Sequence, residues 1–220
     1  MRVTPAGVTL VVVGEPTQVV MFQGIILHWK QPAFFDYDCN MTQPLLFNIL
    51  TAVENSGFLV VSIVYDMGGS NRGLLSNLSI DVQQNVFPNP ADLSRNIHVF
   101  VDPPHLLKLG RNNLIDHGIN TPEGMVDVGP LKELIINQSG DFRIEFKITL
   151  EHIALRGVQR QNVKKAAQLL SSSIGNAINY LGSKNQLTST NWAVTTEFVL
   201  LIDQWIDILN SSVPYDCKKL

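Results

Sequence analysis

Apolar positions along this chain first fall in short extended runs and later take up a helical period. Residues 19–27 (VVMFQGIIL) are an apolar run, the turn-like HWKQP breaks it, and AFFDYD resumes extended character, so a β-hairpin is predicted. In PLLFNILTAVEN, Leu46, Ile49, Leu50 and Val53 recur at the spacing of one helical face. Gly57 caps that helix, and LVVSIV follows as a β-branched run of the kind buried on both sides. The order is β-β-α-β, ending on Asp66.

Residues 71–78 read as a helix, VFPNPADLS as a Pro/Asn loop, and IHVFV as a second buried strand that stops at Asp102. Proline in the first helical turn costs no hydrogen bond, so Pro103 and Pro104 open a helix through HLLKLGRNNLID that ends at Gly118. INTPEGMVDVGP is then a Gly/Pro-rich connector. Four helical segments follow, LKELIINQ, KITLEHIAL, VKKAAQLLSSSIGNAINYLG and NWAVTTEFVLLIDQWIDILNSS, with FRIEFKI an ambiguous strand. The pattern predicts an α/β domain over residues 1–118 and a mostly α-helical one over residues 119–220. In the last helix Val194, Phe198, Leu201, Trp205 and Leu209 form the apolar stripe, and Asp203, Asp207 and Asn210 fall together on the opposite side.

Composition narrows the class without deciding it. With 220 residues, 45% of them hydrophobic, and a net charge of −3, the chain is long enough for one large or two small cores. No apolar run approaches the roughly 20 residues that cross a bilayer, and residues 1–13 lack the basic start and cleavage site of a secretory signal, so no membrane is expected. Cys39 and Cys217 have no metal-ligand spacing, and the triplets at Asn40, Asn77, Asn137 and Asn210 mean nothing as glycan acceptors without secretion. The acidic balance argues against a stand-alone DNA-binding module. RGVQRQNVKK and the group His105, Lys108 and Arg111 are locally basic, and a solvated helix face explains either one.

The chemistry lies where strands end. Asp66 and Asp102 each close an apolar strand and open a helix, and ligands of α/β sheets sit beyond the carboxyl ends of strands, so the pair could share one electronegative cleft suited to a divalent cation. Helix capping explains each aspartate equally well. Asp66 is followed by MGGSNRG, whose glycines permit close approach by a phosphate or a nucleic-acid strand. The Asp203, Asp207 and Asn210 stripe is either a solvated face or a site, since a carboxylate can accept paired N–H donors such as those of guanine. No phosphate-loop or dinucleotide fingerprint occurs.

The segments VVMFQGIILHWKQPAFFDYD, VVSIVYDMGGSNRGLLSNL, FPNPADLSRNIHVFVDPPHLLKLGRNNLIDHG and QRQNVKKAAQLLSSSIGNAI resemble the P-element family of DNA transposases, which includes the THAP-domain relatives. The resemblance runs from about Val19 onward. It implies a partial RNase H-like core with a mixed sheet, interrupted by a helical GTP-binding insertion, and cut-and-paste transposition with Mg²⁺ held by an Asp-Asp-Glu set in two-metal chemistry. Asp66 would be the second acid of that set and a metal ligand, with Asp102 a neighbour of the centre. Guanine-nucleotide contacts would fall at Lys147, Val163, Lys164, Asp207 and Asn210, with Ile206 replacing an aromatic that stacks on the base. The implied partners are DNA ends, GTP and a second copy of the chain, and the implied location is nuclear.

Two departures bear on function. The stretch upstream of VVMFQG, where the family carries its first aspartate, has none, and no segment bearing the final acid is reached by Leu220. One carboxylate cannot hold two metal ions, so DNA cleavage is not expected. The readings left are a degenerate transposase copy with a surviving GTP site and a co-opted interaction protein. A small phosphohydrolase would need a metal site built from Asp66, Asp102 and His105 alone.

Overall fold

Val8, Leu10 and Val12 alternate along strand β1, Ala6–Val13, and all three are buried, as period-two patterning requires for a strand with one face on a core. The computed structural model describes residues 6–13, 17–25, 29–137 and 148–210. After β1 come β2 (Thr17–Gly24), β3 (Lys30–Tyr37), α1 (Gln43–Asn55), β4 (Phe58–Tyr65), α2 (Gly69–Asn77), β5 (Val86–Asn89) and β6 (Asp92–Val101). The six strands form one sheet in the order β3-β2-β1-β4-β6-β5, with β4 parallel to both β1 and β6 and the remaining pairs antiparallel.

The order is therefore β-β-β-α-β, with a strand ahead of the hairpin that the sequence pattern supplied. VFPN, expected to be loop, is the edge strand β5. Its Phe87 pairs with Ile97 and its Pro88 with Asn96, and a proline is tolerated here because, among the described residues, no strand lies beyond β5 to need an N–H. The other edge strand, β3, carries Pro32 opposite Met21, where the pairing register shifts.

Helix α1 begins where the Thr42 hydroxyl accepts the Leu45 N–H at 3.4 Å and Pro44 occupies the first turn. It buries Leu46, Ile49, Leu50 and Val53, the face expected, and ends at Gly57, whose φ of +90° a Cβ would disfavour. Glu54 ties this helix to the sheet. Its Oε1 accepts from Val60 N and from the buried Asn89 Nδ2, both at 2.8 Å, and its Oε2 accepts from Arg95 at 2.6 Å. Arg95 also reaches Asp92 at 2.9 Å, and the Asp92 carboxyl is held down to about 2 by the Ser94 hydroxyl first and Arg95 second.

The second compact unit begins at Pro103, not near Gly118. Helix α3 (Pro103–Asp116) puts Leu107 and Leu114 into a separate core with Leu131, Leu134, Ile174, Ile178 and Val199, which places it in the helical unit. The connector after Gly118 is a small hairpin, β7 (Ile119–Thr121) with β8 (Gly124–Val126), followed by α4 (Gly129–Asn137). Residues 142–147, most of FRIEFKI, lie outside the described residues. The described residues of KITLEHIAL form only a 3₁₀ turn at Leu150–His152, opened by a capping box between Thr149 and the buried His152. A second 3₁₀ turn, Gly157–Gln161, leads into α5 (Val163–Leu169), α6 (Ser172–Ser183) and α7 (Trp192–Leu209). The single helix expected across residues 163–182 is interrupted where the Ser171 hydroxyl donates to Gln168 O at 3.0 Å.

The α7 stripe is rotated from the one expected. Thr195, Thr196 and Val199 are buried with Ile202 and Ile206 packed beside them, while Leu201 is 61% exposed. Close approach of α6 sets this phase: a Cβ on Gly175 would lie 2.8 Å from Leu200 Cδ2, and one on Gly182 would run into the Trp192 indole. Glu133 of α4 fastens the start of α7, accepting the N–H groups of Thr188 at 2.6 Å and Ser189 at 2.9 Å together with both hydroxyls.

Two stability predictions follow from these contacts. Glu54→Ala strands Asn89, Val60 N and Arg95 together, and is expected to lower the unfolding free energy by about 3 kcal/mol in urea titration. Gly182→Ala is expected to cost about 1–3 kcal/mol in the same assay by overpacking against a rigid indole, with Gly175→Ala milder because Leu200 is flexible.

Candidate functional site

The parallel register of β4 and β6 pairs Tyr65 with Val101, so the next residues, Asp66 and Asp102, stand side by side at the carboxyl ends of neighbouring strands. Asp102 N donates to Tyr65 O at 2.8 Å, carrying the ladder one step past the strand. The juxtaposition expected from the sequence is present. The MGGSNRG segment folds back on the first of the two acids: Gly68 N and Asn71 Nδ2 both donate to Asp66 Oδ1, at 3.0 and 2.7 Å. Asn71 is buried, and its second bond, to Asp66 O at 3.3 Å, closes the β4–α2 turn. Asp66 is thus part of the turn that starts α2.

In the helical unit, α3 supports both α5 and α7. Asn162 caps α5 by accepting Lys165 N at 2.9 Å; Val163 opens the helix half-buried in the core, and Lys164 is exposed. Asp207 and Asn210 are exposed at the end of α7, Asn210 being its C-cap. Ile206 packs into the core beside them. Lys147 lies outside the described residues.

Sequence reasoning missed Arg111. It was grouped with His105 and Lys108 as a solvated basic face, yet it is wholly buried on α3. Its Nη1 donates to Asn162 O at 3.0 Å, its Nη2 to Arg160 O at 2.5 Å, and Nε and Nη2 both reach Asn112 Oδ1. Burial lowers its pKa, and the neighbouring Arg160 charge lowers it further. The signal was in the spacing: positions 107, 111 and 114 share a face whose other members are leucines. Lys108 donates to Gln161 at 3.0 Å, and Arg160 forms a two-pronged pair with Asp116.

The family model of the TNP-like, GTP-binding insertion domain matches residues 104–219, starting one residue into the second unit. The chain belongs to that family. It is 35% identical over 206 residues to the Transposable element P transposase of Drosophila melanogaster, a match covering 92% of this chain and 27% of that protein. It is 26% identical over 206 residues to the DNA transposase THAP9 of Homo sapiens, covering 89% of this chain and 22% of that protein. The chain therefore spans less than a third of the length of these relatives. The solved Drosophila P element transposase strand transfer complex matches with a TM-score of 0.85 and 31% identity, over 96% of this chain and 55% of that one. This P-element transposase-like chain has the expected fold class, an RNase H-like α/β sheet followed by a helical GTP-binding insertion domain.

The residues differ in how well they suit the two groups the family implies. Among the described residues no group of three or more His, Cys, Asp or Glu side chains is placed to hold a metal ion, and Asp66 Oδ1 already accepts two N–H donors. Among the described residues, Asp66 with Asp102 beside it is fewer acids than a two-metal centre takes. For GTP the side-chain types suit the ligand: Asp207, Asn210 and Lys164 are an exposed carboxylate, amide and cation, the groups that a guanine edge and a phosphate would call for. Asp66→Ala removes the acceptor that closes the β4–α2 turn. It is expected to lower stability by about 1–3 kcal/mol, with Asp66→Asn milder, as read by thermal unfolding.

Proposed function

We propose that this transposase-like protein binds GTP in its helical unit through Lys147, Val163, Lys164, Asp207 and Asn210, and engages DNA ends in the nucleus as a self-associating component that does not itself cut. The observation that carries the reading is the exposure of Lys164, Asp207 and Asn210 on α5 and α7, two helices seated on the same α3, within a unit that matches the GTP-binding insertion domain. In this role GTP is a ligand that orders the insertion. Asp207 takes the donors of the base, Asn210 adds an amide, and Lys164 neutralises phosphate charge.

Loss of cleavage is supported by β1, whose residues AGVTLVVV include no acid. The same observation favours the second reading, a co-opted interaction protein in which the sheet serves as scaffold. Both readings part from a working transposase at one assay. Incubation of the purified chain with Mg²⁺ and end-containing DNA is expected to leave the DNA intact, and metal-dependent nicking would overturn this part.

Titration with a fluorescent GTP analogue and Mg²⁺ tests the nucleotide site. Saturable binding is expected, weakened about tenfold or more by Asp207→Ala, the loss of roughly 1.4 kcal/mol or more of interaction. A folded chain that shows no saturable binding would overturn the GTP reading and leave the scaffold one.

A further inference from the structure

Arg111 is a buried cation whose acceptors are all neutral: two main-chain carbonyls, of Arg160 and Asn162, and the side-chain oxygen of Asn112. Removing a guanidinium from water is costly unless its donors are satisfied by fixed partners, so the arrangement constrains whatever supplies those partners. Arg160 O lies in the last residues of the 3₁₀ turn Gly157–Gln161, where a carbonyl has no partner within the turn, and Asn162 O, just beyond it, accepts both Arg111 Nη1 and Ala166 N, the latter at 3.3 Å as the first bond of α5. A planar fork matches two such oxygens where an ammonium does not.

All three residues of the segment 160–162 are tied to α3. Arg160 pairs with Asp116, Gln161 accepts from Lys108, and the carbonyls of Arg160 and Asn162 accept from Arg111. The first two contacts are exposed, and exposed polar pairs are worth little. The buried fork is what sets the path. Asn162 is at once the Arg111 acceptor and the N-cap of α5, so the fork fixes where that helix starts and which way its first residues, Val163 and Lys164, are directed.

We infer that Arg111 is the positioning residue of the nucleotide site, acting through the carbonyls of Arg160 and Asn162 to hold Val163 and Lys164 in place. The inference rests on the GTP reading for its ligand, but not for its geometry.

The test compares the full chain with Arg111→Lys, which keeps the charge and volume and loses the fork, using the fluorescent GTP analogue and amide hydrogen exchange. Arg111→Lys is expected to weaken binding about tenfold. It should add little in a Lys164→Ala background and its full effect in an Asp207→Ala background, a coupling pattern that general destabilisation does not give. Exchange at residues 160–165 is expected to rise while α6 and α7 keep their protection. Unchanged affinity, or an equal loss in the Lys164→Ala background, would overturn the inference. If the unmodified chain binds no analogue, the nucleotide reading falls, and the exchange data decide the remainder: unchanged protection at residues 160–165 overturns the positioning role as well. Should Arg111→Lys lose the helical signal of the unit, Asn112→Ala, which removes the acceptor orienting the fork, is read in its place against the same outcomes.

Discussion

Parallel pairing of β4 with β1 on one side and β6 on the other is the constraint from which the first unit follows. Parallel strands favour covered faces, and α1 lies against β4, a run apolar but for Ser62, whereas β6 alternates, burying Ile97 and Val99 and exposing His98 and Phe100. The same pairing decides where chemistry can occur, because it aligns strand ends: once Tyr65 is opposite Val101, Asp66 and Asp102 have no choice but to be neighbours. The site geometry is a by-product of strand register, and no side chain at the site has to build it.

Each unit then settles its buried charge around one group. In the sheet unit it is the Glu54 carboxylate, which gathers donors from β4, β5 and β6 onto α1. In the helical unit it is the Arg111 guanidinium, which gathers acceptors from the segment before α5 onto α3. The two solutions mirror each other in sign. Glu54 draws mainly on side chains and one strand N–H, whereas Arg111 satisfies two main-chain carbonyls, so the connection into α5, which buries little apolar surface, is fixed by polar bonds.

What the sequence made legible was set by period. Leu46, Ile49, Leu50 and Val53 recur strictly enough that α1 and its buried face were readable, and the apolar runs ending at Asp66 and Asp102 gave both strands and their adjacency. Elements whose form depends on a distant partner were not readable. VFPN looks like loop because of its proline and becomes a strand only because β6 offers an edge. The stripe on α7 was phased by its largest residues, yet Gly175 and Gly182 bring α6 against the face bearing Thr195 and Val199 and leave Leu201 to solvent. The domain boundary slipped from Gly118 to Asp102 because proline and glycine punctuation marks turns, whereas membership of a core is decided by where Leu107 and Leu114 pack. Arg111 was misread by its charge, though its spacing had the right phase.

The prolines of the edge strands have a consequence beyond local geometry. Among the described residues the six-stranded sheet has two margins with no strand beyond them, and β3 adds exposed aromatics, Phe35 and Tyr37, beside one of them. Pro32 and Pro88 each remove a donor from an edge, and each coincides with a break in register. An incoming strand would meet an interrupted ladder on either side, so the sheet resists templating the growth of a cross-β aggregate from its own margins.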